Sequence, residues 1–180
     1  MPIRYKLTDT DGYTRRGESG ETMWDEYAQV RITDGQNGLC GPGWTHVYTH
    51  PLLAELFDPI HGQYGKNAKL ISVNVSGESK TDRGLKEGWT RVSFKQNEKR
   101  ISVNLTQRTA FGILCAIKVY KDPSFQKWAW NWLSGKDRSA CYAAYAANAA
   151  DNAAANAAAA ARAAASINLI KIAQQAMKIK

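Results

Sequence analysis

Hydrophobic and polar residues alternate most regularly in AKLISVNVSG, residues 68–77. Ile71, Val73 and Val75 fall on one side, and Ser72, Asn74 and Ser76 on the other, which predicts a strand with one covered face. GWTRVSF (88–94) and RISVNL (100–105) alternate in the same way, and IRYKLTD (3–9), EYAQVRI (26–32) and WTHVYT (44–49) complete a set of strand candidates. Asp, Gly and Thr fill TDTDGYTRRGESGET, and TDGQNGLCGPG is a second turn cluster, so both read as loops. Pro51 suits the first position of a helix through LLAELF, with Thr49 or His50 as its cap.

After residue 105 the period changes. Phe111, Leu114, Cys115 and Ile117 recur at helical spacing, and Asp122-Pro123 opens a second helix. Its stripe of Phe125, Trp128, Ala129, Trp132 and Leu133 faces a core, Trp130 lies off the stripe, and Gly135 ends the helix. From residue 137 to 180 no Gly or Pro interrupts an alanine-rich run, which predicts one long helix of roughly 60 Å. Tyr142, Tyr145, Asn148, Asn152 and Asn156 mark one side of it. The smooth alanine side continues into Leu169, Ile172, Ala176 and Ile179, a contact face for its own domain, for a second copy of the chain or for another partner. The fold class expected is α+β. A twisted mixed or antiparallel sheet with short helices occupies residues 1–135, and the long helix occupies residues 136–180.

Charge sharpens the picture. The chain carries +8, but residues 1–60 hold five Lys/Arg against nine Asp/Glu, and residues 61–180 hold nineteen against seven. The acidic-then-basic split, −4 followed by +12, suggests an anionic partner for the later part. Lys80, Arg83, Lys86, Arg91, Lys95, Lys99 and Arg100 are the candidate contacts. They are interleaved with Trp89 and Phe94, as in surfaces that bind single-stranded nucleic acid, and an acidic protein surface would serve equally. No strongly apolar run is long enough for a membrane span, and no apolar leader is visible at the N-terminus. Three widely spaced cysteines without a CxxC fit a reduced, cytoplasmic setting.

Chemistry concentrates in GLCGPGWTHVYTH. Cys40-Gly-Pro-Gly43 reads as a tight turn, after which Trp44, His46 and Tyr48 share one strand face. Three polar-tipped rings on one face predict a pocket, because each buried tip wants a partner. His46 and His50 are four apart. On a strand that is about 13 Å, too far for one metal ion, so no metal site is expected. No P-loop, GxGxxG or GxSxG pattern occurs.

Four blocks resemble a group of small uncharacterised phage and prophage proteins: YKLTD (5–9), LCGPGW-H-Y-PLL (39–53), WLSGKDRS (132–139) and the alanine-rich tail from Ala140. That resemblance implies an accessory protein of a phage or mobile element. It would act in the host cytoplasm by binding a host or defence-system component, or alternatively serve as a virion assembly part. At the level of fold, the Gly-aromatic strand, the PLLAELF helix and the LISVNVSG strand are similar to the middle of ADP-ribosyltransferase-like domains. The similarity implies Arg4 as the first-strand arginine, Tyr48 as the middle-strand residue, and a catalytic acid among Glu78, Glu87 and Glu98. NAD would then bind near Arg4, Trp44 and Tyr48. The candidate pocket is therefore Arg4, Trp44, His46, Tyr48 and His50, with no cofactor expected unless the enzyme reading holds.

Overall fold

The computed structural model describes residues 1–62, 64–82, 84–138 and 167–180, and only the backbone of Pro59, Ile60 and His61. It is an α+β protein whose described residues fall into two units, Met1–Ile101 and Ser102–Lys180.

The first unit is built on a long hairpin, β6 (Lys69–Thr81) and β7 (Glu87–Glu98), flanked by short strands. β1 (Ile3–Thr8) lies antiparallel on the outer side of β6. Two short strands share the free edge of β7 end to end. β5 (Thr45–Val47) pairs with Glu87–Trp89, and β4 (Arg31–Ile32) pairs with Arg91 and Val92. Every pairing in this sheet is antiparallel, which settles the mixed-or-antiparallel alternative. Just past β5, Tyr48 exchanges two backbone hydrogen bonds with Tyr5 on β1. The sheet thus curls back until its two sides touch. Trp24, Val47, Ile71, Val73, Val75 and Val92 fill the interior.

Two register irregularities in the β6–β7 pair, at Ser72/Val73 and Ser76/Ser79, supply the curl. At the first, the extra residue is Lys95 on β7, so Ile71, Val73 and Val75 keep one face. The expectation of one covered face is revised at this end of β6, where Leu70 and Ser72 on the other side are buried too. At the second, Gly77 adopts φ +82°, and the Thr90 hydroxyl accepts the hydrogen bond from Glu78 N that the interrupted ladder leaves over. Inside the segment read as one long loop stands a minimal two-stranded ribbon, β2 (Tyr13–Thr14) with β3 (Thr22–Met23).

α1 (Pro51–His61) begins as its sequence asks. His50 is the cap, its Nδ1 accepting from Leu52 N, and Pro51 occupies the first turn. The helix buries Leu52, Leu53, Leu56 and Phe57, and the Phe57 ring stacks on Tyr48 with centroids 6.0 Å apart. Glu55 sits on this buried side, 2 % exposed. Arg100 reaches it with two hydrogen bonds of 2.6 and 2.7 Å, and Ile101 N adds a third. RISVNL is therefore not a strand. Its first residues bond to a side chain instead of a ladder, and Asn104 then forms a reciprocal capping box with Gln107 at the start of the next helix.

The second unit holds α2 (Leu105–Val119), α3 (Pro123–Leu133) and α4 (Leu169–Ala176). The boundary between units lies at Ile101/Ser102 and not at residue 135, because α2 packs with α3 and α4. Asp122 caps α3, and its stripe is buried at Ala129, Trp132 and Leu133, while Trp130 is exposed. The single helix expected from 137 to 180 is interrupted: Asn168 is extended and caps a fresh helix at Leu169. Residues 139–166, most of that expectation, lie outside the described residues. Leu169, Ile172 and Ala176, a face open to its own domain, a second copy or another partner, are buried in the packing of α4 on α2, the first of those alternatives. Ile179, beyond the helix, is partly covered, and Gln107 Nε2 donates to Met177 O across the same contact.

Candidate functional site

The curled sheet, the β2–β3 ribbon and α1 enclose a cavity of about 660 Å³ in the first unit. Trp44, His46 and Tyr48 all line it, so the alternation read from WTHVYT does bring three rings to one space. The turn before them is tight for a local reason. A side chain at Gly43 would meet Asp34 Oδ1 at 2.6 Å and Gln36 N at 2.7 Å, so the 34–36 backbone can lie against Gly43 only because it has none.

Two members of the expected pocket belong elsewhere. Arg4 bonds Glu87 at 2.6 and 3.2 Å, away from the cavity lining. Glu87 also accepts from Trp89 Nε1; against the opposing effect of burial, the hydrogen bonds from Arg4 and Trp89 and the Arg4 charge hold its carboxyl below the usual range. His50 serves as the α1 cap.

The cavity's charge comes from residues that segment averages concealed. Four of the five basic residues among 1–60, namely Lys6, Arg15, Arg16 and Arg31, stand around it, joined by Lys86 from the turn before β7. Three acidic residues line it as well, but two are engaged. Asp9 accepts from the backbone of Asp11 and Tyr13 and pairs with Arg16 at 3.0 Å. Asp58 accepts from Tyr64 N and Gly65 N. Glu18 is largely exposed and lies 3.6 Å from Arg15. The Arg31 side chain, unlike its backbone in β4, makes no hydrogen bond or ion pair among the described residues.

Lys6 Nζ donates to the His46 carbonyl at 2.9 Å and lies 5.6 Å from the Trp24 ring centre. Loss of water, with Arg15 nearby, pushes its pKa down to about 8. Lys86, only 8 % exposed, donates to Cys40 Sγ at 3.3 Å. His46 Nε2 hydrogen-bonds the Leu39 carbonyl. Burial, outweighing that bond and reinforced by Lys86, Lys6 and Arg15, brings the ring down to about 4, so it is neutral at pH 7.

A pH dependence follows from His46. Its ring takes up a proton near pH 6.5 when unfolded and only near 4 when folded. Between those values the unfolded chain binds more protons, so stability falls as pH drops through that window. The full shift corresponds to about 3 kcal/mol, and partial solvent access brings the expected loss to about 2 kcal/mol. His46→Asn should flatten the urea-midpoint profile between pH 6.5 and 4. An unchanged slope would place the proton uptake elsewhere.

The candidate anionic-partner surface is correspondingly thinner than its sequence suggests. Lys86 faces inward and Arg100 is spent on Glu55. Lys80 is tied to Asn37 O at 2.9 Å and sits over the Trp44 ring. Arg91, Lys95 and Lys99 are exposed, and Arg83 lies outside the described residues. Cys115 is buried, its thiol pushed up to about 12, while Cys40 is exposed. Among the described residues no three His, Cys, Asp or Glu side chains stand close enough to hold a metal ion, and no helix is long and apolar enough to cross a membrane. Compared with family models, with curated proteins and with solved structures, the chain matches none.

Proposed function

We propose that this is a phage or mobile-element accessory protein that works by binding a component of the host or of its defence systems in the bacterial cytoplasm, with the cavity of the first unit as its working site. The observation that carries this reading is the gathering of Lys6, Arg15, Arg31 and Lys86 around one aromatic-walled space, while Asp9 and Asp58 are held by neighbours. Of the lining acids only the largely exposed Glu18 reaches one of these four, Arg15; cations that outnumber the acids beside them cost stability, and such a cost is typical of a site that meets an anion. The four-block resemblance supplies the biological setting.

The test is affinity purification of the tagged protein from bacterial lysate at low and high salt, with mass spectrometry and nucleic-acid staining. One host complex retained at high salt, and lost from an Arg15→Glu/Arg31→Glu variant, is the expected result. Recovery of nucleic acid alone, lost at high salt, would mean a polyelectrolyte surface and end the reading.

The ADP-ribosyltransferase-like reading retains one observation. Arg4 meets Glu87, which singles out Glu87 among the three candidate acids. It predicts NAD-dependent labelling of a host protein that Glu87→Gln abolishes. Labelling that survives this change would leave it without an acid.

A further inference from the structure

Lys86 poses the sharpest question in the cavity. An ammonium has three protons to donate, and burial makes each unmet one costly. This one is 8 % exposed, and its hydrogen bond goes to a thiol sulfur, a weak acceptor. Arg31 adds a second under-used cation. Its Nη2 and the Nη1 of Arg15 come within 3.3 and 3.6 Å of one point above Gly20, where a methyl group would sit. Two guanidinium groups this near each other repel, and the carboxylate beside them, Glu18, is largely exposed and pairs with Arg15 alone. Lys6 completes the set from β1.

The space is too large for a bare inorganic anion. About 660 Å³ is in the range of sites that bury a whole small molecule. Its walls also carry rings, with Trp44, Tyr48 and Tyr64 among the lining. Planar, forked guanidinium donors match phosphate oxygens in particular, and a lysine serves as an added point charge.

We infer that this cavity is a site for an organic phosphate of nucleotide size, its phosphate held among Lys6, Arg15, Arg31 and Lys86 and its body resting against the aromatic wall. This deepens the binding reading above and rests on it. The host component recognised would then be a small phosphorylated molecule, free or carried by a host protein.

Calorimetric titration of the intact protein with ADP, pyrophosphate, inorganic phosphate and adenosine tests it. ADP should bind in the micromolar range, pyrophosphate more weakly, and adenosine not measurably. Lys6→Met and Arg31→Gln should each weaken ADP binding tenfold or more. Arg31 has no partner among the described residues to lose, so its variant should fold as the parent does, and matching circular dichroism would establish that. Bound ADP should also slow alkylation of Cys40, which lines the cavity, followed on its own peptide by mass spectrometry. ADP affinity unchanged in both variants, or equal affinity for inorganic phosphate and ADP, would overturn the inference. No phosphate binding, together with a host protein still retained at high salt and lost on Arg15→Glu/Arg31→Glu, would sink this inference while leaving the binding reading intact.

Discussion

Arg100→Ala should lower the unfolding free energy by about 3–5 kcal/mol, the usual cost of stranding one partner of a buried ion pair. Glu55 is 2 % exposed on α1, and the change removes the guanidinium that meets both of its oxygens. What remains to it is the Ile101 N–H and whatever the α1 surroundings add. Arg100 also donates to the carbonyl oxygens of Ala68 and Gly65, so its loss loosens the entry to β6 as well. Replacing both partners, as Glu55→Leu with Arg100→Met, should cost much less than the single change, because no charge is left behind. Urea unfolding of the parent, both singles and the double closes the cycle. A single-mutant cost under 1 kcal/mol would mean that Arg100 is a surface cation after all, and would return it to the anionic-partner set.

Gly43→Ala should destabilise by about 3 kcal/mol, at the upper end of overpacking costs. The new methyl would press on the backbone of Gln36 and the Asp34 carboxylate, and neither is a loose side-chain end that can swing aside. Asp34 is itself fixed by accepting from Gln36 N. Gly38, five residues earlier, is the control. Nothing lies within 4 Å of a side chain added there, so Gly38→Ala should be neutral or gain a few tenths of a kcal/mol. Equal midpoints for the two variants would show that the 34–44 turn yields, and would remove the reason given for its glycine.

These two positions show where sequence reading succeeds and where it stops. The alternation in LISVNV and GWTRVSF, and Pro51 after His50, were enough to find β6, β7 and α1, since period and capping are local properties. RISVNL alternates equally well but is not a strand, because Glu55, 45 residues away in sequence, takes its first donors. A glutamate in the middle of LLAELF was the available clue, since a charge on an otherwise apolar helix face needs a partner. The β2–β3 ribbon was missed because two-residue strands carry no period. Trp44, His46 and Tyr48 were legible as one face. The cations beside them were not, because Lys6, Arg15, Arg31 and Lys86 are spread over 80 positions, and three of them sit in a stretch whose net charge is negative.

The strand order carries a consequence for how the chain is made. β1 ends at Thr8 and its main partner β6 begins at Lys69, so about 60 residues must follow before the first strand has more than the Tyr5–Tyr48 bridge to pair with. At roughly 5–20 residues per second, that interval is on the order of 3–12 s of synthesis. β4 and β5 must wait as well, because both need β7, which follows β6. Until the β6–β7 hairpin emerges, the strand pairings open to the nascent chain among the described residues are the small β2–β3 ribbon and the Tyr5–Tyr48 bridge. The last strand translated is thus the template for most of the sheet. Interrupting synthesis before Glu98 should leave a chain with open strand edges that depends on chaperones, whereas a pause after it should release a first unit that closes on its own.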